Sequence, residues 1–396
     1  MVGFNFNLQR FDGPGGTPPD GGGGGSSSSS VSWSGATSYA SAGTYSNQTY
    51  SSTTDAECAV LVSLASGTVN LVNPTVTKSG GPNNASDNYN FYGINSGIMA
   101  MGGGNVSIVG GNITTTGVGA NAVFSYGGNG GQNSTAGDGT TLYISDATIK
   151  TSASGSGGIM TTGGGNTVAK NLVITTEGQS SAPIRTDRGG GNVTVTGGSY
   201  TSSGLGSPAI YSTAAITVSD ATLTSNLSEG VCIEGENSVV LTDCTLTANN
   251  TQTNGNAQFL DAVILYQSQS GDAADSTSSF SMTGGKFVNK SGHLFHVTNT
   301  SAVISLNGVD IDDDGDILVG SDSTLTLNIT DSSTFEGITP AGLPKCQGIL
   351  KRTLISAHSA VRQPMSSRMG RPYAQKRRHH LEARITFRQR FTRQRL

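Results

Sequence analysis

A chain of 396 residues in which 57 Gly, 52 Ser and 47 Thr fill about two positions in five is a poor helix former, because these residue types weaken helix interiors. No apolar run approaches the roughly 20 residues of a membrane span, so neither an ordinary helical enzyme nor a helical transmembrane protein fits. The formal charge of −4 averages two unlike segments: residues 1–340 hold 8 Lys+Arg against 25 Asp+Glu, and residues 341–396 hold 14 against 1.

The chain opens with MVGFNFNLQRFDG, which lacks the continuous apolar stretch of a recognisable signal peptide. Residues 13–30 (GPGGTPPDGGGGGSSSSS) read as a flexible linker. Residues 1–30 are therefore a leader and linker, the first dozen forming a tethered peptide outside the fold, and 31–55 an N-terminal capping region.

From 56 to 340 one pattern recurs: apolar, any residue, apolar, then apolar again five positions on. It reads VNLVNPTV at Val69–Val76, VSIVGGNI at Val106–Ile113, LYISDATI at Leu142–Ile149 and VTVTGGSY at Val193–Tyr200. Further copies begin at Ile216, Val239, Phe280 and Ile304, with a degenerate one at Thr167. The shorter steps are 23–26 residues, and the longer ones leave room for polar inserts at 80–95, 127–139 and 248–260. Each copy follows a second short strand. In those strands one column is aliphatic throughout: Val60, Ile98, Val123, Ile159, Ile184, Ile210, Val231, Ile264, Leu294 and Ile317. Alternation places that column inside. Short strands, Gly/Asn/Asp turns and this repeat length predict an all-β fold, a single-stranded right-handed parallel β-helix of about ten coils.

The segment Ser181–Phe259, beginning SAPIRTDRGGGNVTVTGGSY and running through AAITVSDATL and VVLTDCTL, resembles the adhesin-like right-handed β-helix proteins of gut Firmicutes. The similarity covers about residues 50–335. It implies an extracellular or cell-surface protein that binds a glycan or a host or bacterial surface protein, and it carries no catalytic residue with it.

The column beside the aliphatic one contains Leu61, Met99, Phe124, Met160, Arg185, Tyr211, Cys232, Leu265, Phe295 and Leu318. By alternation it faces outward, yet it is almost wholly apolar. Met99, Phe124, Met160, Arg185, Tyr211, Leu265 and Phe295 are thus expected to form a binding stripe, unless inserted loops or the N-terminal segment cover it. An alternative reading is a polysaccharide-active hydrolase or lyase. Asp187 and Glu234, about two coils and ~9–10 Å apart, would supply its two carboxyl groups. The eight basic residues of 1–340 are few for a lyase groove on an acidic polymer. A phage-type fibre or spike is a third reading.

Asp310, Asp312 and Asp314 open like a calcium loop, but Ser321 stands where an EF-hand needs Glu; calcium is the only cofactor suggested. His296 falls in an inward column, which predicts a satisfied core histidine beside His293. Thr pairs such as Thr222/Thr224 and Thr245/Thr247 would suit ice binding, but Asn112, Lys150, Lys286 and Asp310 interrupt the array, so strand-stabilising hydroxyl ladders are expected. The four cysteines match no metal or redox spacing and read as free thiols. The basic segment 341–396 reads as a disordered or frame-shifted tail, since its composition changes without a linker. Nonspecific binding by that tail is the only nucleic-acid contact expected, and no membrane span is expected.

Overall fold

The computed structural model describes residues 31–129, 136–252, 260–268, 273–315, 317–321, 324–330, 334–337 and 353–357. The leader 1–30 and all of the basic segment except 353–357 lie outside the described residues.

The fold starts from a two-residue bend. In the copy at Thr68–Val72 and Thr75–Lys78, the strands are joined by Asn73-Pro74. The first bend residue of successive coils is Asn47, Asn73, Gly110, Asp146, Asn171, Gly197, Asp220, Asp243, Gly284 and Gly308, all with φ between 49° and 68°. Only Gly, Asn and Asp occupy this left-handed position, where a Cβ is otherwise penalised. Each bend also ties coils together: the N–H of Asn47 donates to the carbonyl of Val72 at 2.8 Å, and the same bond recurs up to Gly284 and Asn307.

Repetition of this unit gives three parallel sheets of 11, 12 and 11 strands. The first sheet begins at Gly35–Tyr39, the second at Gly43–Ser46 and the third at Thr49–Ser52. Each coil contributes one strand to each sheet, so the described residues contain eleven coils of a parallel β-helix. Ten steps of ~4.8 Å make a rod of about 48 Å. Residues 31–55, expected as a cap, hold a complete coil. Among the described residues the one antiparallel pairing is that of Thr353–Ala357 against Leu325–Thr330 at the other end.

The core is a thin stack of aliphatic ladders. Val69, Val106, Leu142, Thr167, Val193, Ile216, Val239, Phe280 and Ile304 pair in register as the repeat predicts. The degenerate Thr167 is accommodated because its hydroxyl bonds that of Thr161 at 2.6 Å, both inside the core. One inward column differs from expectation. Val231 pairs with Val263, not Ile264, and Val263 pairs with Phe295, not Leu294; the next partner is Val319, not Ile317. Three consecutive apolar residues, Val263-Ile264-Leu265, leave the strand's phase undecided by alternation, and a one-residue slip exchanges the faces.

The insert between the second and third coils carries the described helix, Asp87–Phe91. It lies over the outer face of the first sheet, where the expected site residues are found.

Candidate functional site

The outward column of the first sheet runs Leu61, Met99, Phe124, Met160, Arg185, Tyr211, Cys232, Ile264 and His296. Leu265 and Phe295, expected on it, instead face the lumen and belong to the main core. The rest of the stripe points outward but is not a surface. Met99, Phe124, Met160 and Arg185 are 0% exposed and Tyr211 2%. Trp33, Tyr92 and Met101 pack on the Leu61–Met160 portion, with Tyr126 joining the cluster. The indole of Trp33 donates to the Tyr92 carbonyl at 2.7 Å, and its ring lies 5.5 Å from that of Tyr126. Gly93 passes so close to the Phe124 ring that a Cβ there would sit 2.6 Å from it.

The insert is fastened along several coils. The Tyr89 hydroxyl donates to Asp55 at 2.9 Å, the Cys58 thiol to the Gly93 carbonyl at 3.4 Å, and the Thr162 hydroxyl to the Phe91 carbonyl at 2.7 Å. The Arg185 guanidinium reaches Asn90 at 3.3 Å, and that of Arg188 lies 4.3 Å above the Phe91 ring. The Leu61–Arg185 part of the stripe, buried in this way, stabilises the insert and is closed to a ligand while the insert is in place.

Asp187 and Glu234 are 3% and 2% exposed. Asp187 pairs with Arg185 at 2.8 Å. Glu234 accepts from the hydroxyls of Tyr211 at 2.6 Å and Tyr266 at 3.3 Å, and from Ser268. Tyr211 belongs to the coil between the two acids, its ring 6.0 Å from the Arg185 guanidinium. Each carboxylate is thus held by its own donors; a hydrolase pair needs both carboxyl groups to face one glycosidic bond. A shallow cleft of about 410 Å³ lies elsewhere, lined by Asp275, Thr277, Asn299, Thr300 and their neighbours. Asp275 is the single carboxylate among the described residues of its wall.

Asp261 carries no signal in the sequence, yet it is a buried carboxylate with two histidine partners. Its two carboxylate oxygens contact Nδ1 of His293 at 3.1 Å and Nδ1 of His296 at 3.0 Å, and the two imidazoles stack 5.4 Å apart. His296 lies on the outward column, beside Ile264, rather than in the lumen. Asp310 and Asp312 occupy a strand, Asp310–Asp313, not a loop. Lys290 lies 3.0 Å from Asp314, and both Lys286 and Lys290 approach Asp312 within 4.0 Å. Among the described residues no group of three or more His, Cys, Asp or Glu side chains is arranged to hold a metal ion.

Cys58, Cys232 and Cys244 are buried; burial pushes the Cys58 thiol up to about 12. Among the described residues no helix is long and apolar enough to cross a membrane.

The exposed apolar side chains lie on the other two sheets. Val173, on the third, is 51% exposed; on the second Tyr143 is 45% exposed, Val109 45%, Val168 41% and Val240 37%. Register places Tyr143 between Ser107 and Val168, with Thr141 between Asn105 and Asn166, and Ser145 between Val109 and Lys170. Neighbouring coils are ~4.8 Å apart and alternate residues ~6.6 Å, so these nine side chains cover roughly 10 by 13 Å. A signal was present in the sequence: Tyr143 is the aromatic residue among the middle positions of the repeat, where Asn70, Ser107, Thr194, Thr217, Ser281 and Ser305 stand in other coils.

No protein-family model, curated protein or solved structure matches the chain.

Proposed function

We propose that the protein is a non-catalytic, adhesin-like surface or secreted protein that binds a glycan on the outer face of its second sheet, centred on Tyr143. The observation that carries this reading is the exposed Tyr143 ring flanked by Asn105, Ser107, Thr141, Ser145 and Asn166, with Val109, Val168 and Lys170 completing the patch. A pyranose ring has an apolar C–H face and a rim of hydroxyls. The first stacks on an aromatic ring, and the second bonds to amides and hydroxyls held at fixed spacing. The rod continues the polar field through Asn192, Thr194 and Thr217 on the next two coils. An oligosaccharide laid along the rod axis therefore meets successive donors and acceptors. The two carboxylates of the hydrolase reading, Asp187 and Glu234, are buried and engaged, which favours binding over bond cleavage.

The test is a glycan array probed with the wild-type chain and with Tyr143→Ala. Loss of one stacking platform is worth about 1.5 kcal/mol, so binding should weaken about tenfold, while Tyr143→Phe keeps it. Unchanged binding by Tyr143→Ala, or no glycan bound by the wild type, removes the proposal. Release of reducing ends from any bound glycan, abolished by Glu234→Ala, would instead favour the enzyme.

A further inference from the structure

Three methionines, Met99, Met101 and Met160, meet in the cluster on the outer face of the first sheet, while Met282 lies in the main core. Met99, Met160 and Met282 are fully buried, whereas Met101 is half-buried. Met101 ends the strand Ile98–Met101, and its neighbour on the preceding coil, Ser63, is exposed. Ser125 pairs with Ala100, so Tyr126 stands beside Met101 on the following coil. Met101 thus lies between solvent on one side and an aromatic group on the other.

That aromatic group holds the end of the insert. The Trp33 and Tyr126 rings are 5.5 Å apart, those of Tyr92 and Tyr126 5.7 Å, and the Trp33 indole donates to the Tyr92 carbonyl. Tyr92 caps the helix Asp87–Phe91, its N–H donating to the Asn88 carbonyl. Trp33 and Tyr92 are half-buried and, like Met101, pack on the Leu61–Met160 cluster. A thioether is apolar and polarisable, and it sits well against aromatic rings. A sulfoxide is polar, and its oxygen is costly to keep among rings away from water.

We propose that Met101 is a modification site, oxidised to its sulfoxide by hydrogen peroxide, and that this change releases residues 87–93 from the first sheet. A lone pair on the Met101 sulfur attacks one peroxide oxygen. The S–O bond forms as the O–O bond breaks. The proton on the attacked oxygen passes to the departing hydroxide, and water leaves. The sulfur loses two electrons and the peroxide gains them. A methionine sulfoxide reductase, supplied with electrons by a thiol, removes the oxygen as water and restores the contact. Release of the insert uncovers Met99, Phe124 and Met160. Met99 and Met160 therefore oxidise after Met101 and because of it. This inference is independent of what the second sheet binds.

Peroxide treatment of the full chain tests it, with peptide maps to locate the added oxygen and the emission of Trp33, the single tryptophan, to report the insert. Met101 should gain oxygen at least about tenfold faster than Met99 and Met160. Trp33 emission should move to longer wavelength in step with Met101, and the reductase should reverse it. Met101→Leu keeps an apolar side chain of similar volume. In that variant Trp33 emission should stay unchanged under peroxide, and oxidation of Met99 and Met160 should slow at least about tenfold. Met101→Gln, which places a polar oxygen at the same point, should show the shifted emission without peroxide. Unshifted emission in a chain oxidised at Met101 overturns the proposal. So does equal oxidation of Met99 and Met160 in wild type and Met101→Leu. Oxidation of Met282 at the pace of Met99 also overturns it, because the rod as a whole would then be opening.

Discussion

At the scale of single residues, the first sheet's outer face is built from buried ionisable and aromatic groups that hold one another. Removing Arg185 would leave Asp187 buried without its guanidinium, a change of the kind that costs about 3–5 kcal/mol. Lys78 is a different case. Its ammonium is buried beneath the third sheet and donates to the carbonyls of Thr54 at 2.6 Å and Gly80 at 2.7 Å. Burial lowers its pKa, partly offset by Cys58, Asp55 and Glu57. The unfolded chain therefore binds the Lys78 proton at pH values where the folded chain has released it. Between the lowered value and the ordinary one near 10.4, stability contributed by this residue rises with pH. Denaturation midpoints measured from pH 7 to 10 should thus rise more steeply for the wild type than for Lys78→Met. Parallel pH profiles would show that Lys78 keeps its ordinary affinity for the proton.

At the scale of the element, the two-residue bend decides the repeat. Its two positions differ in what they tolerate, as the Gly197-Gly198 bend illustrates. Gly197 has φ 68°, and a Cβ there would meet only the movable side-chain oxygen of Asn171. Asn171 and Asp220 occupy the same place in the flanking coils, so Gly197→Asn should leave stability nearly unchanged. Gly198 has φ 93°, and a Cβ would lie 2.4 Å from the Leu172 carbonyl oxygen and 2.7 Å from its nitrogen. Gly198→Ala should cost at least about 1–3 kcal/mol, seen as a lower urea midpoint. Equal midpoints for the two variants would show that the bend relaxes freely. This element also explains what was readable in advance. Bend, strand and coil length all recur along the chain, so the repeat is visible in one sequence. The phase of Val263-Ile264-Leu265 was not, because consecutive apolar residues fit either face. Nor was the burial of Phe124 and Met160, since alternation reports direction and carries no information about what covers a face from 30 residues away. Asp261 was hidden for the same reason: its partners, His293 and His296, stand on the next coil.

At the scale of the whole molecule, a solenoid couples only neighbouring coils, so its stability is close to a sum of local terms. The insert breaks that rule. Through Asp55, Cys58, Thr162, Arg185 and Arg188, residues 89–93 touch parts of the rod from the second coil to the sixth. The Asn90–Arg185 contact alone bridges 95 positions of sequence. Mechanically, such an element is a tie bar laid along a coiled spring. A rod pulled from its two ends and free of the bar would peel one coil at a time, each coil of 23–26 residues releasing roughly 80 Å of chain. With the bar in place, coils two to six should resist as a block and then yield together, releasing on the order of 480 Å in one event. Single-molecule extension would display that long step beside a series of short ones, and Phe91→Ser with Arg185→Met should divide it. A trace of short steps only would mean that the bar carries no load, and that each coil withstands tension alone.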